Sequence, residues 1–66
     1  MWVAVYIAPN HRVAAILKQL LEMEGILVKL REPKSASRED RNVEVTVSEL
    51  EIEEATEVIN NALQRF

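Results

Sequence analysis

The spacing of apolar residues changes several times along this chain of 66 residues, and these changes constrain its fold more than any other feature. Apolar residues recur at every second position in a half-buried strand and at intervals of three or four in a helix. The spacing predicts strands over 2–8, 26–31 and 43–47 and helices over 11–24 and from 52 onward. The element order is therefore β-α-β-β-α, in one domain covering residues 1–66.

Local signals mark the ends of the first helix. Pro9 stops the first strand, and Asn10 then occupies the N-cap position. Gly25 sits where a helix ends in the left-handed conformation, and we expect Ile26 to contact Leu21 as in a Schellman ending. These signals place the helix at His11 to Glu24.

The start of the second helix carries the pattern of a capping box. In Ser48-Glu49-Leu50-Glu51 we expect the Ser48 hydroxyl to accept from the Glu51 amide, while the Glu51 carboxylate accepts from the Ser48 amide. The preceding segment from Glu32 to Asn42 is charged and contains Pro33, which predicts a loop. The apolar stripe of the second helix comprises Ile52, Ala55, Ile59, Ala62, Leu63 and Phe66.

This order predicts an α+β fold on the ferredoxin-like plan without its last strand, with two helices on one face of a three-stranded sheet. The expected sheet order is 1-3-2, and the long loop leaves the order 1-2-3 open. We assign one face of the sheet to the core beneath the helices: Val3, Val5, Ile7, Ile26, Val28, Leu30, Val43, Val45 and Val47. The other face carries Trp2, Ala4, Tyr6, Leu27, Lys29, Arg31, Glu44 and Thr46.

Composition narrows the classes of function. A domain of this size buries only about 60% of the surface that its unfolded chain exposes, and the absence of cysteine excludes disulfides and thiolate metal sites. We therefore expect a homodimer to supplement the core. The net charge of −3 argues against nucleic-acid binding. No apolar run is long enough for a membrane span or a signal peptide, which indicates a cytoplasmic protein.

Five segments together resemble a known family: the apolar first strand, "LLEMEGILVKL", the polar loop, "VEVTV" and "EIEEATEVI". With them the chain resembles small bacterial signal-transducing proteins of uncharacterised function, whose fold is akin to that of PII-like signalling proteins. The resemblance covers nearly the whole chain. It implies a regulatory or adaptor role and supplies no site residue.

Two groups of residues are candidates for binding. Exposed amides at the start of the first helix, next to basic side chains, predict an anion site formed by Asn10, His11, Arg12, Lys34, Arg38 and Arg41. The simpler interpretation is an N-cap followed by solvated first-turn residues. Trp2, Ala4 and Tyr6 share the open face of the first strand and predict a subunit interface, or an open face that the two aromatic rings simply cover. That strand is an uncharged edge, whereas the opposite edge carries Lys29 and Arg31.

Nothing in the sequence indicates catalysis, a cofactor or a metal. The acidic residues between Glu49 and Glu57 are typical of the start of a helix, and His11 is the single histidine. We therefore expect a non-enzymatic regulatory module that binds a small anion or a protein partner. A small enzyme of acylphosphatase type, with Arg12 holding phosphate and His11 or Asn10 placing water, is one alternative. A pure protein-interaction subunit is the other.

Overall fold

The computed structural model describes residues 1–32 and 42–65, and it confirms the predicted element order. Each predicted strand and helix is present, and one additional turn of 3-10 helix precedes the second helix. The elements are β1 Trp2–Ala8, α1 His11–Met23, β2 Val28–Arg31, β3 Val43–Ser48, a 3-10 turn Glu49–Glu51, and α2 Ile52–Leu63.

The sheet has the order β1-β3-β2, which confirms the order 1-3-2. β3 pairs antiparallel with both neighbours, so β1 and β2 run parallel to each other. Helix α1 contacts all three strands, whereas α2 contacts β1, β3 and α1. Both helices cover one face of the sheet, as predicted. The buried apolar residues between the layers are Ala8, Ala14, Leu17, Leu21, Ile26, Val28, Val43, Val45, Val47, Ala55 and Ile59.

Both ends of α1 follow from the local sequence. The Val13 amide N–H donates to Asn10 Oδ1 at 2.9 Å, which confirms the N-cap. At the other end Gly25 has a φ of 83°, and the amides of Gly25 and Ile26 donate to the carbonyls of Glu22 and Leu21. This is the Schellman pattern. Because the Ile26 amide is used in this helix ending, β2 begins at Val28, two residues later than predicted.

Strand β1 contains a bulge that the sequence analysis did not predict. Ala4 pairs with Thr46 and Tyr6 pairs with Val45, so Val5 is the extra residue between them. The extra residue moves the following side chains to the opposite faces. Tyr6 therefore packs against the core, and Ile7 is 57% exposed. The prediction that Ile7 is buried and Tyr6 lies on the open face is wrong, since neither face of this strand is polar enough to specify register.

The predicted capping box does not form. Ser48 Oγ accepts from the Leu50 amide at 3.3 Å, not from Glu51, and α2 begins at Ile52 with no side-chain cap. The Glu49 amide N–H donates to the Met1 carbonyl at 2.9 Å, so the first residue after β3 still bonds to the strand beside it. Residues Glu49–Glu51 form a 3-10 turn in place of the first turn of the predicted helix.

Within α2 the predicted apolar stripe faces the core. Ala55 and Ile59 are buried, and Ile52, Ala62 and Leu63 pack partly buried against them. The sixth member of the predicted stripe, Phe66, lies outside the described residues. In the described ranges 1–32 and 42–65, neither helix has the length and apolar character needed to cross a bilayer.

Candidate functional site

Of the six residues of the predicted anion site, only the three at the start of α1 belong to the described part of the chain. Asn10 has its side chain engaged as the cap of α1, and the next two residues, His11 and Arg12, are exposed in the first turn. Among the described residues, neither side chain forms an ion pair. The other predicted members, Lys34, Arg38 and Arg41, lie outside the described residues. The anion site therefore remains a prediction.

A compact cluster occupies the centre of the open sheet face. Thr46 is only 2% exposed, and its hydroxyl donates to the Lys29 carbonyl at 2.7 Å. The Lys29 ammonium lies 4.5 Å from the centre of the Trp2 ring, within the range of a cation–π contact. Because Trp2 belongs to β1 and Lys29 to β2, this contact spans β3 between them. The cluster explains why Thr46, expected on the open face, is buried there.

The β2 side of the open face is charged. Arg31 of β2 forms a hydrogen-bonded ion pair with Glu44 of β3, the residue opposite it in the ladder. Together with Lys29, this pair places charged side chains along the β2 edge. Charged side chains on an edge strand discourage pairing with another strand. The β2 edge is therefore guarded, as the sequence predicted.

The β1 edge has the opposite character. All seven residues of β1 are uncharged, and proline appears only after the strand, at Pro9. Within residues 1–32 and 42–65, β1 pairs with β3 on one side and with no strand on the other. Ala4 and Ile7 are exposed, and Trp2 is partly so. The strand thus offers unpaired backbone groups beside apolar side chains.

The predicted interface residues therefore separate into two groups. Trp2 and Ala4 lie on the open face of β1, as expected, whereas Tyr6 lies on the core side after the bulge. Ile7 takes the place predicted for Tyr6. Sequence reasoning missed Ile7 because it assumed unbroken alternation through β1.

An open groove of about 480 Å³ lies between helices α1 and α2, and the sequence analysis did not predict it. Its apolar lining comes from both helices, and Met23 is 76% exposed at its edge. Ile16, Leu20 and Met23 follow the spacing i, i+4, i+7 and form a second stripe beside the buried one, a signal available in the sequence. The lining residues are Ile16, Leu20, Met23, Glu24, Val58, Asn61, Ala62 and Arg65.

No cluster of three or more histidine, cysteine or acidic side chains arranged to hold a metal ion occurs in the described part of the chain. Comparison with protein-family models, with curated proteins and with solved structures finds no match for this sequence. The surfaces of the molecule itself are therefore the basis for a functional conclusion. They are the β1 edge with its open face, and the groove between the helices.

Proposed function

We propose that this protein is a non-catalytic regulatory module of the cytoplasm that acts as a homodimer, with β1 of one copy paired to β1 of the other. The observation that carries the proposal is the uncharged outer edge of β1. Chains whose edges must stay unpaired commonly place lysine or proline there. This chain does so on β2 but not on β1.

Two copies of β1 that pair antiparallel are related by a two-fold axis. A two-fold axis perpendicular to the sheet keeps the open faces of the two copies on the same side, so each exposed Ile7 lies on the same face as Trp2 and Ala4 of the other copy. The result is a continuous sheet of six strands whose outer edges are the two guarded β2 strands. Because β1 is uncharged, two copies that each carry a net charge of −3 meet where side-chain repulsion is smallest.

The regulatory part of the proposal is supported by the resemblance to small bacterial signal-transducing proteins. A domain of 66 residues has a thin core, and dimerisation would add buried surface to it. A partner protein would then meet a two-fold symmetric surface. The open face of that surface would present Trp2, Ala4 and Ile7 from both copies.

Sedimentation velocity over a range of concentrations tests the dimer. Ile7→Lys places a charge on the β1 edge and should weaken the dimer by about tenfold or more, as loss of a central interface contact does. Leu27→Lys is the matched control, because Leu27 is 70% exposed and precedes β2, away from the proposed contact. Amides of β1 should also become protected from hydrogen exchange as the concentration rises.

Three results would contradict the proposal. A wild-type protein that remains monomeric at the highest concentration would remove the dimer. Equal weakening by Ile7→Lys and Leu27→Lys would move the interface away from β1. Turnover of an acyl phosphate that is lost in Arg12→Ala would support the acylphosphatase alternative and refute a non-catalytic role.

A further inference from the structure

We infer that Lys29 is a positioning residue for dimerisation, because it holds the Trp2 ring over β3 and so leaves the β1 edge free for a second copy of this chain. This inference rests on the proposed pairing of β1 with β1, and it names a residue outside β1 that controls that pairing. The observation behind it is a separate one, since the contact between Lys29 and Trp2 lies on the open sheet face.

The backbone of Trp2 belongs to the edge that a second copy would use. The Glu49 amide N–H donates to the Met1 carbonyl at 2.9 Å, so the Met1 carbonyl faces β3. Backbone groups alternate in direction along an antiparallel strand, so those of Trp2 and Ala4 face away from β3. The Trp2 side chain stands on the open face at the same position. A ring that leaned outward would therefore lie above the strand of the second copy.

The Trp2 ring leans inward, over its own sheet. The Lys29 ammonium lies 4.5 Å from the centre of the ring, although β3 separates the two strands. Two strands with a third between them are roughly 10 Å apart, so both side chains must lean over β3 to come this close. The ladder agrees, because Trp2 pairs with Ser48 and Lys29 pairs with Thr46, two residues apart on β3. The space beyond the β1 edge is thereby left to a partner strand.

The burial of neighbouring side chains agrees with this arrangement. Trp2 is only 37% exposed on an edge strand, and Thr46 is 2% exposed. Both helices pack on the other face of the sheet, so low exposure on this face is expected where side chains of the outer strands lean over β3. An ammonium group over an indole ring at an exposed site favours the inward position by about twofold to fivefold.

Lys29 also contributes to the charged β2 edge, and this second role needs a control. Removal of a charge from an edge strand permits new pairing there, whatever happens to Trp2. Arg31 provides the matched control, because it carries the same charge on the same face of the same strand. Its partner is Glu44 and not Trp2.

Sedimentation velocity of Lys29→Gln, Lys29→Arg and Arg31→Gln tests the inference, and the exposure of both side chains makes each variant compatible with folding. Lys29→Gln should raise the dissociation constant of the dimer by about fourfold or more, because each of the two copies loses a preference of about twofold or more. Lys29→Arg should restore the wild-type value, since a guanidinium also stacks on an aromatic ring. Arg31→Gln should stay within about twofold of the wild type, because exposed ion pairs contribute little.

Tryptophan fluorescence reports on the ring itself, because Trp2 is the single tryptophan of the chain. It is measured at a concentration at which the protein is monomeric. Lys29→Gln should shift the emission to longer wavelength and increase quenching by acrylamide, since the ring gains contact with water. Lys29→Arg and Arg31→Gln should both match the wild type.

Failure of this inference is distinguishable from failure of the proposed function. A wild type that remains monomeric at the highest concentration would refute the proposed dimer and, with it, the role of Lys29. A wild type that dimerises, with an equal or lower dissociation constant in Lys29→Gln, would overturn the role of Lys29 alone. Equal weakening by Lys29→Gln and Arg31→Gln would do the same, as would unchanged Trp2 emission in Lys29→Gln.

Discussion

Truncation of Leu17 to alanine should remove a large share of the stability of this domain. Leu17 is 0% exposed, on the face of α1 that packs against the sheet. Loss of the three carbons of its isopropyl group removes about 0.8 kcal/mol of hydrophobic stabilisation for each carbon, or about 2.4 kcal/mol in total. The cavity left behind raises the expected loss to between about 2 and 5 kcal/mol. A domain of this length has a total stability of only about 3 to 10 kcal/mol.

Leu50→Ala is the matched control for this prediction. It makes the same chemical change at a leucine that is 91% exposed, so its effect should stay within about 0.5 kcal/mol. Both variants are compared with the wild type by urea and thermal unfolding at one protein concentration, because dimerisation would shift the midpoints. Leu17→Ala should lower the melting temperature by at least about 10 °C.

The reasoning would be refuted if Leu17→Ala and Leu50→Ala had equal midpoints, since burial would then not distinguish the two sites. Ile59→Ala extends the test to α2, where the side chain is buried on the other side of the same core. It should also cost about 2 to 5 kcal/mol. Gln64→Ala, at an exposed position after α2, should have little effect.

Three further predictions concern α1 and its ends. Asn10→Ala should destabilise the protein by about 1 kcal/mol because the Val13 amide loses its acceptor, whereas Asn10→Asp should retain most of that stability in denaturant melts. Gly25→Ala should lower the free energy of unfolding by about 1 to 2 kcal/mol, because alanine is strained at a φ of 83°. Steric contact adds nothing to this cost, since no atom lies within 4 Å of the added carbon. An unchanged urea midpoint would contradict this prediction. If the predicted anion site exists, phosphate should produce saturable, salt-sensitive shifts in the amides of residues 10–13 and 34–41. If these amides do not shift and Arg12→Ala leaves the protein unchanged, Asn10 serves only as the cap of α1.

The sequence by itself determined the elements that depend on local interactions. Asn10 and Gly25 specify the ends of α1 through hydrogen bonds within a few residues, and both assignments are confirmed. The clean alternation of β3 predicted its three buried valines, because polar residues separate them. The element order favoured the sheet order 1-3-2 and left 1-2-3 open, and the pairing of β3 with both neighbours decided between them.

The candidate sites were predictable only where they depended on such local patterns. The cap role of Asn10 is confirmed, and Trp2 and Ala4 lie on the expected face. The position of Tyr6 was wrong because β1 is apolar on both faces, so only its pairing with β3 could place the bulge at Val5.

The tertiary structure alone decided the features that join distant parts of the chain. The Glu49 amide bonds to the Met1 carbonyl at the other end of the chain, and the contact between Lys29 and Trp2 accompanies the burial of Thr46 on a face expected to be open. The groove exists because α1 and α2 pack side by side on one sheet face, leaving Met23 at its edge. Residue spacing within one element cannot specify these contacts, since each depends on the position of a partner far away in sequence.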